Sequence, residues 1–384
     1  MARKVCVFVG SRANYSSIKT AMRAIQAHPG LELQTVVGAS AVLDRFGRVV
    51  DLVRADGFPV SHTFHMIIEG ETPTTMAKST GLGLMEIATI LENLRPDFVV
   101  VVGDRFEIPA VALAAAYMNI PVAHTMGGEV TGTIDESIRH AVTKLAHVHF
   151  PANAGSAERI VRMGEPAENV FVVGCPRIDL VLEILATPEP ETDLFDRFKG
   201  VGPRLDLADG FLLVSQHPVT TEYGRARAQI EQTLFALEKL AMPTVMLWPN
   251  VDAGSEAIVK GIRTFRERRA PDWLHLFINL PMEAYVRLMR RTACLIGNSS
   301  SAIREGATIG VPAVNIGTRQ HSRERGRNVL DVPHDVDAIV EAVGRQVRHG
   351  PYPSDPIYGD GRAGTRIADV LATVDVAVQK RLTY

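Results

Sequence analysis

Short apolar runs rich in Val and Ile alternate along the chain with longer stretches in which apolar residues recur at three- and four-residue spacing. In the first half the short runs are Val5–Val9, Leu33–Val37, Phe98–Val102, Pro121–Ala123, Val148–Phe150 and Val170–Val173. In the second half they are Phe211–Val214, Thr244–Trp248, Leu276–Ile278, Ala293–Ile296 and Ala313–Ile316. Near-continuous apolar runs bounded by turn residues predict strands buried on both faces, and the intervening helical stripes predict parallel sheets covered by helices. Tyr15, Ile18, Met22 and Ile25 form one such stripe, which Gly30 follows as a stop signal; Leu84, Ile87, Leu91 and Leu94 form another before Pro96. A third amphipathic stretch covers Arg366–Leu382.

The expected architecture is α/β, with two Rossmann-like domains and a ligand cleft between them. A chain of 384 residues exceeds the size at which one hydrophobic core is comfortable. Ala186–Pro203 is rich in Pro and acidic residues with weak periodicity, as a linker is, so the domains are expected at 1–190 and 204–365, with a final helix over 366–384 packing back on the first domain. Apolar residues make up 46% and charged residues 22%, which fits a soluble globular protein rather than a disordered one. A formal net charge of −2, without a basic and aromatic cluster, gives no footprint for nucleic acid. Cys6, Cys175 and Cys294 lie in or beside apolar runs and form no C-x-x-C pair, so buried free thiols in a reducing cytoplasm are expected. The chain opens directly into a strand without a signal-peptide pattern, and no apolar run approaches a membrane span of roughly 18 residues.

Candidate chemistry gathers where strands end. The first strand ends in Gly10-Ser11-Arg12, which brings backbone N–H groups and Arg12 to the carboxyl edge of a sheet, where α/β proteins bind ligands. Lys19 lies two turns on and by itself reads as a solvated helix residue. Neither G-x-G-x-x-G nor a P-loop pattern occurs here, so neither a dinucleotide nor a P-loop nucleotide is indicated. The strand FVVVVGD brings Asp104 to a second carboxyl edge, either as a base or hydroxyl-orienting group or as N-cap of the following Ala-rich helix. Gly127 and Gly128 either let the backbone approach a ligand and project Glu129 from a loop, or form a glycine-rich turn in which Glu129 is incidental. T-x-x-E at Thr133 to Glu136 matches a capping box, and Arg139 stands at ion-pairing distance along the helix from Asp135 and Glu136. His147 and His149 alternate on a strand without further ligands, so no metal site is expected.

In the second half, FLLVS leads into Gln216-His217-Pro218, which makes His217 a candidate acid or stabiliser of a leaving phosphate, although a lone histidine near a strand end is usually structural. Gly297-Asn298-Ser299-Ser300-Ser301 follows another strand and opens a helix, so its hydroxyls and N–H groups suit a diphosphate, although a loop with a cap explains them as well. Glu305, one turn along, is placed to accept bonds from ribose hydroxyls. Arg319, Arg323, Arg325 and Arg327 surround His321 in a late loop, either against a phosphate or as a solvated charge run.

The segments GSRANY, PDFVVVVGDRFE, PVAHTMGGEVTGTIDESIRHAVTKLAHVHF, VGCPRID, GNSSSAIREGATIGVPAVNIGTRQ and Asn328–Val329, in this order over about residues 5–330, resemble the hydrolysing UDP-N-acetylglucosamine 2-epimerases of bacterial sialic-acid pathways. The resemblance implies a GT-B-like pair of domains, a UDP-sugar substrate, UDP as product, no metal or redox cofactor, and a homo-oligomer. It implies catalytic roles for Asp104, Glu129, Glu136 and His217, with Asp135 a neighbouring candidate, and substrate-binding roles for Arg12, Lys19, Ser299, Ser300, Ser301 and Glu305. Two positions depart from the family's pattern: Asn14 stands where an acidic residue is usual, and Ala302 follows Ser300-Ser301 where Gly is usual. The related non-hydrolysing epimerases carry Gly-Gln-His after the second strand, whereas this chain reads Val37-Gly38-Ala39-Ser40-Ala41, which points towards hydrolysis. Competing expectations are the same chemistry on a modified or GDP-linked amino sugar, a GT-B glycosyltransferase, and a non-catalytic sugar-nucleotide sensor. The acidic residues of the first half favour elimination over transfer.

Overall fold

A computed structural model describes residues 2–70, 72–189, 193–249, 252–278 and 280–383. The chain divides into two compact units: Met1–Glu129, Asp135–Leu182 and Tyr358–Tyr384 form the first, Val130–Ile134 and Glu183–Ile357 the second.

The first unit is built on β1 (Arg3–Val9), β2 (Leu31–Val37), β3 (His62–Thr63), β4 (Phe98–Val102), β5 (Val122–Thr125) and β6 (Val148–Phe150), hydrogen-bonded in the order β3-β2-β1-β4-β5-β6. Every neighbouring pair is parallel. The apolar runs are continuous because helices cover both faces; Val5, Val7, Val99, Val100 and Val101 have no exposed surface at all. Each such side chain contributes roughly 1.5–3 kcal/mol by leaving water. The expected strand at Val170–Val173 is reduced to a single bridge between Val170 and His149. Conversely, β3 is two exposed polar residues, too short to show a pattern.

Helix Pro73–Leu94 starts where Thr72 and Thr75 cap each other's backbone N–H groups and Pro73 supplies a preset φ. Helix Ala363–Thr373 lies against helix Lys19–Ala27, and the contact is close enough that a Cβ on Gly364 would fall 2.6 Å from the carbonyl carbon of Thr20. Its first N–H groups are capped from elsewhere in the chain: Ala363 and Gly364 donate to the Asp179 carboxylate at 3.0 and 2.7 Å. The helix expected over 366–384 therefore begins earlier and ends at Thr373. The rest of the described tail is strapped by Lys380, which pairs at 2.7 Å with the buried Glu165.

The second unit has β7 (Gly200–Val201), β8 (Leu212–Ser215), β9 (Thr244–Leu247), β10 (Leu274–Phe277), β11 (Cys294–Gly297), β12 (Ala313–Ile316) and β13 (Val329–Val332), in the order β13-β12-β11-β8-β9-β10-β7. All pairs are parallel except β7 with β10. The segment expected to be a linker is more ordered than its composition suggests. Asp193 caps a one-turn helix, Leu194–Arg197, and β7 adds an antiparallel edge, while residues 190–192 of that segment lie outside the described residues. No helix among the described residues is long and apolar enough to cross a membrane.

Candidate active site

In the first unit the carboxyl ends of β1, β4 and β5 carry the candidate groups. Ser11 follows β1 after Gly10 and caps the short helix Arg12–Ser16 by accepting the Asn14 N–H at 3.1 Å. The Asn14 side chain then joins two strands: its Oδ1 accepts from Gly10 N at 3.2 Å and its Nδ2 donates to the Val102 carbonyl at 3.2 Å. Both ends of the amide are used, and a carboxylate at this position would have no proton for Val102. Burial lowers the Arg12 pKa, and its buried Nε has no hydrogen-bond partner among the described residues. Lys19 is not a free solvated cation: its Nζ lies 2.7 Å from Asp56, whose other oxygen accepts the Tyr15 hydroxyl at 2.6 Å.

β4 leads into Gly103, whose φ of +72° only glycine adopts without strain, and then into Asp104. Asp104 is not the N-cap of the next helix, which runs Ile108–Tyr117 from Glu107. Instead its carboxylate is gripped by Nη2 of Arg139, while Nη1 of the same guanidinium donates to the Glu129 carbonyl at 2.8 Å. Arg139 is 1% exposed and Glu129 is fully buried, so this junction sits in a low dielectric where charge-assisted bonds are strong. The loop into Glu129 is tightly built. Met126 adopts a φ of +63°, a conformation rare outside glycine, and a Cβ on Gly128 would fall 2.2 Å from the Ser156 carbonyl oxygen. Glu136 is half-buried on the helix of Arg139, Asp135–Leu145, with an oxygen 3.6 Å from Nε2 of His140 one turn on. The structure thus joins Asp104 and Glu129 through a residue that spacing marked only as a local ion-pair partner. His147 and His149 go separate ways, to the Val378 carbonyl and to Glu165.

In the second unit, β8 ends at Ser215 and delivers His217, which is 7% exposed. Asn298, at the end of β11, clasps it: Oδ1 accepts the His217 N–H at 2.7 Å and Nδ2 donates to the His217 carbonyl at 2.9 Å. This places the serine loop beside the histidine. Ser299 and Ser301 share a hydroxyl contact of 2.9 Å, and Ser301 Oγ is also 2.7 Å from the Tyr285 hydroxyl. Two of the three hydroxyls are therefore tied into the loop, while Ser300 carries no such bond among the described residues. A 3₁₀ turn, Ser300–Ala302, and the short helix Glu305–Ile309 follow, with Glu305 completely buried at its start. In the late loop, Arg319 and Gln320 both donate to the Asn298 carbonyl, at 3.2 and 2.9 Å, and Arg325 pairs with Asp331. Gly132 N donates to the Arg319 carbonyl at 3.1 Å, which anchors residues 130–134 in this unit.

Arg139, Asn298 and Asn14 were not singled out from sequence as site residues. For Arg139 a signal was present: with Val142, Thr143 and Ala146 it falls on the buried stripe of its helix, where a cation needs a partner.

Comparison with known proteins agrees with this architecture. The crystal structure of UDP-GlcNAc 2-epimerase from Neisseria meningitidis bound to UDP-GlcNAc shares the fold with a TM-score of 0.80, at 18% identity over 96% of this chain and 99% of the other. The doubly wound parallel sheets and this match define a GT-B-like α/β protein. A UDP-N,N'-diacetylbacillosamine 2-epimerase (hydrolyzing) of Legionella pneumophila is 31% identical over 99% of this chain and 98% of its own. A UDP-N-acetylglucosamine 2-epimerase of Neisseria meningitidis serogroup B is 30% identical over the same shares. The family profile described as UDP-N-acetylglucosamine 2-epimerase matches residues 23–372. The chain belongs to the UDP-N-acetylglucosamine 2-epimerase family.

Proposed function

We propose that this protein is a hydrolysing 2-epimerase that converts UDP-N-acetylglucosamine and water to N-acetylmannosamine and UDP. The observation that carries the proposal is the buried Arg139 junction, which fixes Asp104 at the carboxyl end of β4 and the backbone of Glu129 beside it. A carboxylate held in this way suits removal of the proton at C2, a step that needs a base whose position is set before the substrate arrives. As that proton leaves, the C1–O bond to UDP breaks on the opposite face and 2-acetamidoglucal forms. Water then adds, its hydroxyl to C1 and a proton to C2 from the other side, which inverts C2. In this reading Asp104, Glu129 and Glu136 handle the protons, and His217 stabilises the charge that grows on the departing diphosphate. Arg12, Lys19, Ser299, Ser300, Ser301 and Glu305 hold the nucleotide sugar.

Two further observations support hydrolysis. The Legionella relative is named as hydrolyzing. Where the non-hydrolysing enzymes carry Gly-Gln-His, this chain forms a 3₁₀ turn, Ala39–Val42, whose Ala39 and Ala41 are buried and carry no polar side chain. The same Legionella match favours a second reading, in which the sugar carries a 4-acetamido group and a 6-deoxy carbon.

The two are separated by incubating the enzyme with each UDP-sugar and identifying products by chromatography and mass. Equimolar UDP and N-acetylmannosamine from UDP-N-acetylglucosamine is the expected result. UDP-N-acetylmannosamine as the stable product contradicts hydrolysis, and turnover confined to the diacetamido sugar selects the second reading.

A further inference from the structure

One fully buried histidine has no part in the chemistry above. His124 lies on β5, and its two ring nitrogens meet two elements that carry the site. Nε2 is 2.8 Å from the Gly103 carbonyl oxygen, which only accepts, so Nε2 bears the proton. Nδ1 is then a lone pair, and the Thr143 hydroxyl at 3.2 Å donates to it. Gly103 precedes Asp104 in the turn after β4, and Thr143 lies one turn beyond Arg139 on helix Asp135–Leu145. The chain closes tightly over the pair, since a Cβ on Gly127 would come within 2.9 Å of His124 Nδ1 and 3.0 Å of Thr143 Oγ1.

Gly103 is the one residue of this turn without a side chain to fix it, and its positive φ leaves the next peptide dependent on external bonds. Burial pushes the His124 pKa down to about 3, so the ring remains a neutral donor. With both nitrogens engaged inside the unit, it has no free atom for substrate.

We propose that His124 is a positioning residue: its imidazole fixes the Gly103 carbonyl, and through it the direction of the Asp104 carboxylate, relative to the helix that carries Arg139. The proposal rests on the assignment of Asp104 to the proton chemistry.

The test compares His124→Leu, His124→Gln, Thr143→Val and Asp104→Asn in steady-state turnover and in UDP binding by calorimetry. His124→Leu is expected to lower kcat by about tenfold or more with KM and UDP affinity within about threefold, because misaimed groups cost rate rather than binding. His124→Gln, whose amide N–H can reach Gly103, is expected to recover most of kcat, a rescue that simple core filling does not produce. Thr143→Val, which removes only the Nδ1 partner, is expected to lose about threefold to tenfold in kcat, and it decides the matter if the leucine variant does not fold. Wild-type kcat in Thr143→Val or in a folded His124→Leu overturns the proposal, as does His124→Gln no better than leucine. Full activity in Asp104→Asn would instead overturn the site assignment on which it rests.

Discussion

Arg139 holds Asp104 by one guanidinium nitrogen and the carbonyl of Glu129 by the other, so one buried cation ties the end of β4 to the loop that follows β5. The two contacts need a planar fork with separate nitrogens, which lysine lacks. Arg139→Lys is therefore expected to keep the positive charge and lose one of the two contacts. A charge-assisted hydrogen bond of roughly 1.5–3 kcal/mol corresponds to a fall in kcat of about 10- to 100-fold. UDP release assayed against wild type checks this, and a rate within twofold would detach the junction from catalysis.

Asp104→Asn and Glu129→Gln preserve shape and remove a proton acceptor. Each is expected to retain UDP binding while kcat falls by about 10²–10⁴, the usual scale of general acid–base catalysis. Calorimetry with UDP and turnover on the same samples separate the two effects.

In the loop after β11, which the proposed function assigns to the nucleotide, Ser300 has the hydroxyl left outside the internal contacts of Ser299 and Ser301, and Glu305 starts the short helix that follows. Ser300→Ala combined with Glu305→Ala is expected to weaken UDP binding by about tenfold, measured by titration calorimetry. Unchanged affinity removes this loop from the nucleotide site.

Asn14→Asp tests the clasp between β1 and β4. The aspartate still accepts from Gly10 but sets an oxygen against the Val102 carbonyl, so a loss of about 1–3 kcal/mol in denaturant unfolding is expected. Wild-type stability would show that the bond to Val102 carries no weight.

Stability is also expected to depend on pH through His124. Above its ordinary value of 6.5 the ring is neutral both folded and unfolded; between 6.5 and about 3 the unfolded chain takes up a proton that the buried ring does not. Stability therefore falls as pH falls through that window, by up to about 2 kcal/mol between pH 6.5 and 5 from this group. His149, lowered by burial, acts in the same direction. Urea unfolding at pH 7 and pH 5 should show a smaller loss in His124→Gln than in wild type, and equal losses contradict the buried neutral ring.

The sheets were legible because each central strand is buried on both faces and so reads as an unbroken Val and Ile run, as Val99 to Val101 do. Edge elements gave no such signal: His62–Thr63 and Gly200–Val201 are two exposed residues each, held by pairing rather than by burial. Asp104 and His217 were readable as strand-end polar residues, because the chemistry of an α/β protein gathers there, and Glu129 as the charge that follows a glycine pair. Their partners were not. Arg139 lies 35 residues from Asp104, and Asn298 lies 81 from His217, separations that no local spacing rule reaches. Spacing points only to Asp135 and Glu136, the neighbours a helix supplies in isolation, and is silent about a partner on another strand. The final helix ends at Thr373 although the amphipathic pattern continues beyond it, where the chain is held by the pair of Lys380 and Glu165.

The most direct test of the central claim is NMR of the reaction on UDP-N-acetylglucosamine in deuterated buffer. The account predicts free UDP and N-acetylmannosamine carrying deuterium at C2, because the original C2 proton leaves in the elimination and a solvent deuteron returns from the opposite face. A released sugar that retains its C2 proton, or N-acetylglucosamine in place of N-acetylmannosamine, would contradict it.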